Sequence, residues 1–261
     1  MNVQRRKLLK AGFASCAALM CSPLAVAKDL LNLKIVHNQE FAPFEYFDGH
    51  QAVGILPEIL DFIFLNIEGV DLFHEPLPWR RAQALVLNSH ADAMVAFKSN
   101  QRLKYLYFNE RPLLTLKPCL CFSATHPKLD DLKKISSFDD LKNFDVVDLM
   151  GNHWAEQTVQ PHAPIKWFPH FTQVLKVILS NRYDVHVALS HEMMNWHLHQ
   201  LGYEKKRLIS HHIAELPSEI PVYLGLRKDL ANAREILSQV DAVLEGSEDQ
   251  LQKIKAQYIF T

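Results

Sequence analysis

The sequence predicts an α/β protein with mostly parallel sheets and helices on both of their faces. Two observations carry this. Short apolar runs of strand length alternate with amphipathic stretches of helical period along nearly the whole chain. Hydrophobic residues make up 48% and charged residues 22% of 261 positions, enough to bury a core in one large domain or in two lobes. No internal repeat and no low-complexity stretch interrupts the pattern.

The first 27 residues stand apart from that core. Arg5, Arg6, Lys7 and Lys10 make a basic start, residues 11–20 are apolar, and Ala25-Val26-Ala27 offers small residues where a signal peptidase reads. This pattern predicts an export signal cleaved after Ala27, hence a periplasmic protein. The apolar run is well short of the roughly 20 residues that span a bilayer. Arg5-Arg6 fits a twin-arginine signal or an ordinary one equally. Neither Cys16 nor Cys21 has the lead-in expected for lipid attachment. Without this segment the chain has 24 basic and 29 acidic residues, a net charge of −5 with no Lys/Arg run. Nucleic acid and anionic membrane surfaces are therefore not expected partners.

The elements follow in order. Residues 33–37 form an apolar strand. Pro57 suits a first helical turn, and Ile59, Leu60, Ile63, Phe64 and Ile67 then recur at helical spacing on one stripe. Residues 79–87 make a second helix with Ala82, Leu85 and Val86 inward, and residues 92–97 a strand. Cys119 and Cys121 lie two apart on a strand and share one face, either as free thiols or as a strained pair. Ser137-Phe138-Asp139-Asp140 is a capping-box start, and residues 145–149 are a strand ending at Gly151. Thr172 is expected to cap a helix through Leu175, Ile178 and Leu179. Residues 183–189 read as a strand, and residues 191–201 as a helix closed by Gly202. After a strand at 222–226 come two helices. Gly246 ends the first, and Ser247-Glu248-Asp249-Gln250 caps the second. Sheets of this kind bind ligands at the carboxyl ends of their strands. That directs attention to Phe41, the 97–102 loop, the turn after Gly151 and the turn after Leu189.

The main enzyme signatures are missing: no Gly-x-Gly-x-x-Gly, P-loop, Gly-x-Ser-x-Gly or His-Glu-x-x-His occurs. With only 8 glycines, the chain is poorly suited to a nucleotide cradle of backbone amides. Histidine is abundant, at 14 residues, but His197 and His199 do not share a helix face, so neither a metal nor another cofactor is expected.

Several segments resemble the family 3 extracellular solute-binding proteins, of the amino-acid-binding type. They are Phe41-Ala42-Pro43-Phe44-Glu45-Tyr46 followed by Gly54-Ile55, Trp79-Arg80-Arg81-Ala82 followed by Ala91-Asp92-Ala93-Met94, and Ser99 to Phe108 around Arg102. Asp140-Leu141-Lys142 before Gly151, Tyr183-Asp184-Val185, and Leu226-Arg227-Lys228 continue the series in order. The resemblance implies the two-lobed type II periplasmic-binding-protein fold, each lobe a mostly parallel sheet flanked by helices. It places lobe one at 28–116 plus 219–261 and lobe two at 117–218, with the chain crossing near 115–118 and 216–221. Two crossing strands would make a hinge on which the lobes close.

By the same resemblance Arg102 matches the arginine that clamps a ligand carboxylate; a surface arginine beside Lys98 and Lys104 is the alternative. Phe41 matches an aromatic that covers the ligand. Trp79 is a second aromatic candidate, and Phe97 stands where a hydroxyl residue is common. Gly151, Asn152 and His153 replace the family's small Gly-Thr turn, and Glu192 is the only acid near the position that holds a ligand ammonium. The implied function is capture of a small polar, carboxylate-bearing solute for an ABC transporter's membrane subunits or a membrane sensor, by a monomer that performs no chemistry. The alternatives are a dehydratase-like enzyme using Glu45, His153, His191 or Glu192, and an interaction module without a ligand.

Overall fold

The computed structural model describes residues 30–258; the expected signal segment lies outside the described residues. The fold contains two principal mixed sheets with helices packed on them. The first part of the chain runs β1 (Leu31–Asn38), β2 (Glu40–Phe41), β3 (Glu45–Phe47), β4 (Ala52–Val53), α1 (Ile55–Phe64), β5 (Val70–Leu77), α2 (Trp79–Leu87), β6 (Ala93–Ala96), β7 (Leu106–Phe108) and β8 (Leu114–Leu116). The middle runs β9 (Cys119–Ser123), α3 (Leu129–Leu132), β10 (Val146–Leu149), α4 (His153–Thr158), β11 (Ile165–Phe168), α5 (Phe171–Leu179), β12 (Val185–Ala188), α6 (His191–Gln200) and β13 (Leu208–His211). The chain closes with β14 (Ile220–Arg227), α7 (Ala233–Leu244) and α8 (Glu248–Tyr258).

The first sheet has the order β5-β1-β6-β14-β7, and the second β11-β10-β12-β9-β13. Each contains one strand that opposes the others. β14 is antiparallel to β6 and β7, and β9 is antiparallel to β12 and β13. Both are the strands on which the chain arrives from the other sheet. It leaves the first sheet after Leu116 and returns through Ile220, and β8 pairs with β14 so that Leu116 faces Ile220 and Leu114 faces Val222. The two passages are thus hydrogen-bonded side by side. One buried cluster runs from Leu33 and Ile35 through Leu116 and Val222 to Cys119, Phe171 and Met193.

Local physics explains the elements and two departures from expectation. The α1 stripe buries Ile59, Leu60, Ile63 and Phe64, as its spacing requires. The α5 helix starts two residues earlier than a Thr172 cap would allow, with His170 at the N-cap position. Phe171 is itself buried and continues the stripe of Val174, Leu175 and Ile178, so packing overrides the capping preference of Thr172. The Ser137 capping box is present, but it opens a 3-10 segment, Phe138–Asn143. Cys119 and Cys121 are buried free thiols with Sγ atoms 3.5 Å apart. Burial pushes the Cys121 thiol up, while the hydrogen bond between the two holds Cys119 below its ordinary value.

Gly54 fixes where α1 meets the Phe41–Phe44 loop. Its φ is +121°, and a Cβ there would lie 2.7 Å from the Pro43 carbonyl oxygen and 2.8 Å from that of Phe44. The same carbonyls accept from Ile55 N at 3.0 Å and Leu56 N at 2.7 Å, so the helix start is bonded to the loop. Gly54→Ala is expected to cost about 1–3 kcal/mol through backbone strain and the clash. An unchanged urea midpoint for this variant would show that the loop yields freely.

His197 on α6 is buried against Phe171, at 4.4 Å between ring centroids, and its Nε2 has no partner. Burial alone pulls its pKa down from 6.5 to about 4. The unfolded chain therefore binds a proton near pH 6.5 that the folded protein refuses until about pH 4, and stability falls as pH falls through that window. The difference is roughly 3 kcal/mol. His197→Phe is expected to lose stability less steeply on acidification over that range, measured by urea midpoints; equal slopes in the two proteins would refute the burial effect.

Candidate functional site

The carboxyl ends of β1 and β6 in the first sheet, and of β10 and β12 in the second, open onto one cavity of about 100 Å³. A single water needs roughly 10–15 Å³, so there is room for a small solute. On the first wall are Phe41, Trp79, Phe97 and Arg102; on the second are Gly151, Asn152, His153 and Trp154.

Arg102 opens the 3-10 turn Arg102–Lys104 that follows β6. Its amide donates to Ser99 Oγ at 3.3 Å. Nη1 donates to the Phe97 carbonyl and Nη2 to Gln83 Oε1, each at 3.0 Å. Those bonds occupy two of the five guanidinium donors. The guanidinium carbon lies 4.3 Å from the Phe97 ring centre and 5.5 Å from that of Trp79. The residue is only 5% exposed, yet among the described residues it forms no ion pair. Burial lowers its pKa to about 10, which leaves it charged at neutral pH. The Phe97 ring thus stacks on the cation, where a hydroxyl would offer a hydrogen bond instead. Phe41 packs on Phe44 at 5.1 Å between centroids.

The second wall carries a buried carboxylate. Asp148, 2% exposed at the end of β10, accepts from Leu149 N at 2.6 Å and from Asn152 Nδ2 at 3.2 Å. Burial raises its pKa. Asn152 caps α4 by accepting from Ala155 N at 3.3 Å. Its amide and the Ala155 N–H are therefore used within the turn. His153 pairs with Glu156 at 2.6 Å. Phe171, His186 and Met193 also line the cavity.

Glu45 also lines the cavity, but both its oxygens are engaged within the first half of the fold. Asn38 N donates to Oε1 at 3.0 Å and His37 Nδ1 meets Oε2 at 2.8 Å. From His37 the chain of contacts continues through His74, at 2.7 Å, to exposed Asp61, at 3.1 Å.

Seven of the eight residues expected at the site thus line one cavity: Phe41, Trp79, Phe97, Arg102, Gly151, Asn152 and His153. Glu192 does not. It sits in the first turn of α6, where its amide donates to Ser190 Oγ at 3.0 Å and its carboxylate accepts from the same hydroxyl. The positive end of the helix and the Ser190 hydroxyl hold it there. His191 is also outside, bonded to Ser210 at 2.8 Å. Sequence reasoning missed Asp148 and His186 as cavity residues. A polar residue inside an otherwise apolar strand, as in Val146-Val147-Asp148-Leu149 and Val185-His186-Val187-Ala188, was the available signal. Beyond the cavity, His170 meets Glu40 at 3.1 Å and Trp196 packs on Tyr46 at 5.1 Å, so the two halves also touch at the rim. Among the described residues, no group of three or more His, Cys, Asp or Glu is placed to hold a metal, and no helix is long and apolar enough to cross a membrane.

No protein-family model and no curated protein sequence matches the chain. Solved structures do. The amino acid ABC transporter substrate-binding protein AbpA from Streptococcus pneumoniae, bound to L-arginine, superposes with a TM-score of 0.68 at 21% identity, over 87% of this chain and 94% of that one. The arginine-, lysine-, histidine-binding protein ArtJ from Geobacillus stearothermophilus gives 0.70 at 15% identity, over 87% and 94%. A histidine kinase sensor domain with similarity to periplasmic binding proteins gives 0.69 at 14% identity, over 89% and 97%. At these identities the likeness establishes the type II periplasmic-binding-protein fold.

A buried cation without a counter-charge costs stability unless something else rewards it. Arg102→Met keeps the volume and removes the charge. The ligand-free variant is expected to melt at the wild-type temperature or above. A loss of more than about 2 kcal/mol would instead assign Arg102 a structural role.

Proposed function

We propose that the protein is an exported solute-binding protein that closes on a small carboxylate-bearing solute and does no chemistry on it. The observation that carries this reading is the buried Arg102 guanidinium on the cavity wall, flanked by Phe97 and Trp79 and without a carboxylate of its own. A planar guanidinium presents parallel donors to one carboxylate, and the rings exclude the water that would weaken the pair. Phe41 serves as the cover.

In this reading residues 28–116 and 219–261 form one lobe and 117–218 the other. The paired strands β8 and β14 are the hinge. Opening would separate His170 from Glu40 and Trp196 from Tyr46. The basic start and Ala25-Val26-Ala27 support export to the periplasm. The working form is a monomer that hands its solute to an ABC transporter or presents it to a sensor, since the similar structures include both kinds of protein. An acid–base mechanism is less well supported. Glu45 spends both oxygens inside its own lobe, His153 lines the cavity but pairs with Glu156, and His191 and Glu192 lie off it.

The test is a thermal-shift screen of residues 28–261 with amino acids, small carboxylates, amines and sugars, with Arg102→Met in parallel. A solute at 100 times its Kd stabilises a clamp that binds only when folded by about 2.7 kcal/mol. A shift with carboxylates that is lost in Arg102→Met is the expected result. Shifts confined to solutes without a carboxylate, or unaffected by that substitution, would overturn the reading.

A further inference from the structure

We infer that Gln83 sets the affinity of the cavity for anions: its neutral side-chain amide holds the Arg102 guanidinium in place without discharging it. This rests on the reading of Arg102 as the solute's anchor and adds the residue that keeps the anchor available.

The α2 helix brings Gln83 to the arginine. Trp79 and Gln83 are four apart on that helix and so share a face. The Trp79 ring centre lies 5.5 Å from the guanidinium carbon, and Gln83 Oε1 accepts from Nη2 at 3.0 Å. Together with the Phe97 carbonyl, which accepts from Nη1 at 3.0 Å, these contacts fix the plane of the guanidinium. The orientation of the amide follows from its partner. Turned over, it would set its NH2 group against a guanidinium N–H, two donors with no acceptor between them. With Oε1 on the arginine, Nε2 is left buried without a hydrogen-bond partner among the described residues. A buried donor left unmatched is costly, and groups of this kind are regularly satisfied in folded proteins.

The pair therefore leaves two demands unmet: a buried cation with no anion, and a buried NH2 with no acceptor. One change, that NH2 to an oxygen, would remove both. Glutamate has the shape of glutamine, would pair with Arg102 and has no N–H to strand. The other acid on this wall does not serve, because Asn38 N and His37 engage both Glu45 oxygens. With glutamate at position 83 the guanidinium would hold a carboxylate of the protein's own, which a solute carboxylate would have to displace. Such a tethered competitor is present at high effective concentration whatever the dilution. The burial that makes the bare cation costly would also strengthen its grip. The amide avoids this: it gives the guanidinium its direction through one hydrogen bond and leaves the full positive charge to the solute. Gln83 itself does not line the cavity. It acts through Arg102 and is a positioning residue.

Calorimetry with acetate, hexanoate and L-arginine, beside thermal melts of the ligand-free proteins, tests this. Gln83→Glu is expected to melt at the wild-type temperature or above. It is expected to bind each carboxylate that the wild type binds about tenfold more weakly or worse, the worth of a hydrogen bond between charged groups. Gln83→Met, uncharged and of similar length, should bind much closer to the wild type than Gln83→Glu does. A residue that merely supports the fold would lower stability and affinity together in Gln83→Glu, and that outcome would overturn the inference. So would undiminished affinity in Gln83→Glu, or a loss in Gln83→Met as large as in Gln83→Glu. Arg102→Met separates the inference from the reading beneath it. Carboxylates lost in Arg102→Met but kept in Gln83→Glu would overturn the inference and leave the carboxylate reading standing. Carboxylates bound equally by the wild type and Arg102→Met, or failure of all three to bind the wild type, would overturn both.

Discussion

A guanidinium held almost out of water without an anion of its own is the constraint around which the rest of the structure is arranged. Moving such a charge inward is costly, and the protein meets the cost only partly. One carbonyl, one glutamine oxygen and two ring faces surround Arg102. None of these neutralises it. Low local polarity, which makes the bare cation expensive, also strengthens its attraction for an incoming anion. The cost of the bare cation and its attraction for an anion therefore have one origin, and a fold optimised for stability alone would not place an arginine there.

The topology allows such a group to meet a second wall. Each sheet contains one reversed strand, β14 or β9, and each of these is the strand on which the chain arrives from the other sheet. The reversal lets the parallel strands of both sheets direct their carboxyl ends at the same gap. β8 and β14 carry the connection as a hydrogen-bonded pair at the base of the gap, so it is continuous in backbone and core there. At the rim the exposed His170–Glu40 contact and the Trp196–Tyr46 rings bridge the gap. Contacts of this sort are worth little individually, whereas the base is held by backbone pairing and core.

What was legible in the sequence follows the same geometry. The strands that could be read, β1, β6, β9, β10, β12 and β14, are the interior strands of the two sheets. Both of their faces are covered, so each shows an apolar run. The edge strands of those sheets, β5, β7, β11 and β13, could not be read. β5 is Val-Asp-Leu-Phe-His-Glu-Pro-Leu, with Phe73 59% exposed and a proline that only an edge tolerates, so its composition carries no burial signal. Helices α1 and α2 were legible because their stripes face the sheet at helical period. At the site, Arg102, Phe41 and Trp79 were expected from the family likeness, and all three line the cavity. Asp148 and His186 were missed because their strands read as core, and only the three-dimensional position of the strand ends brings them to the cavity.

The walls of the cavity differ in charge. The first presents the Arg102 guanidinium, since the Glu45 carboxylate on the same wall is engaged by Asn38 N and His37. The second presents the buried Asp148, engaged by Leu149 N and Asn152. In the binding reading, a buried group left unmatched forfeits more than a surface hydrogen bond is worth, so a solute without an anion is penalised beyond the contact it fails to make.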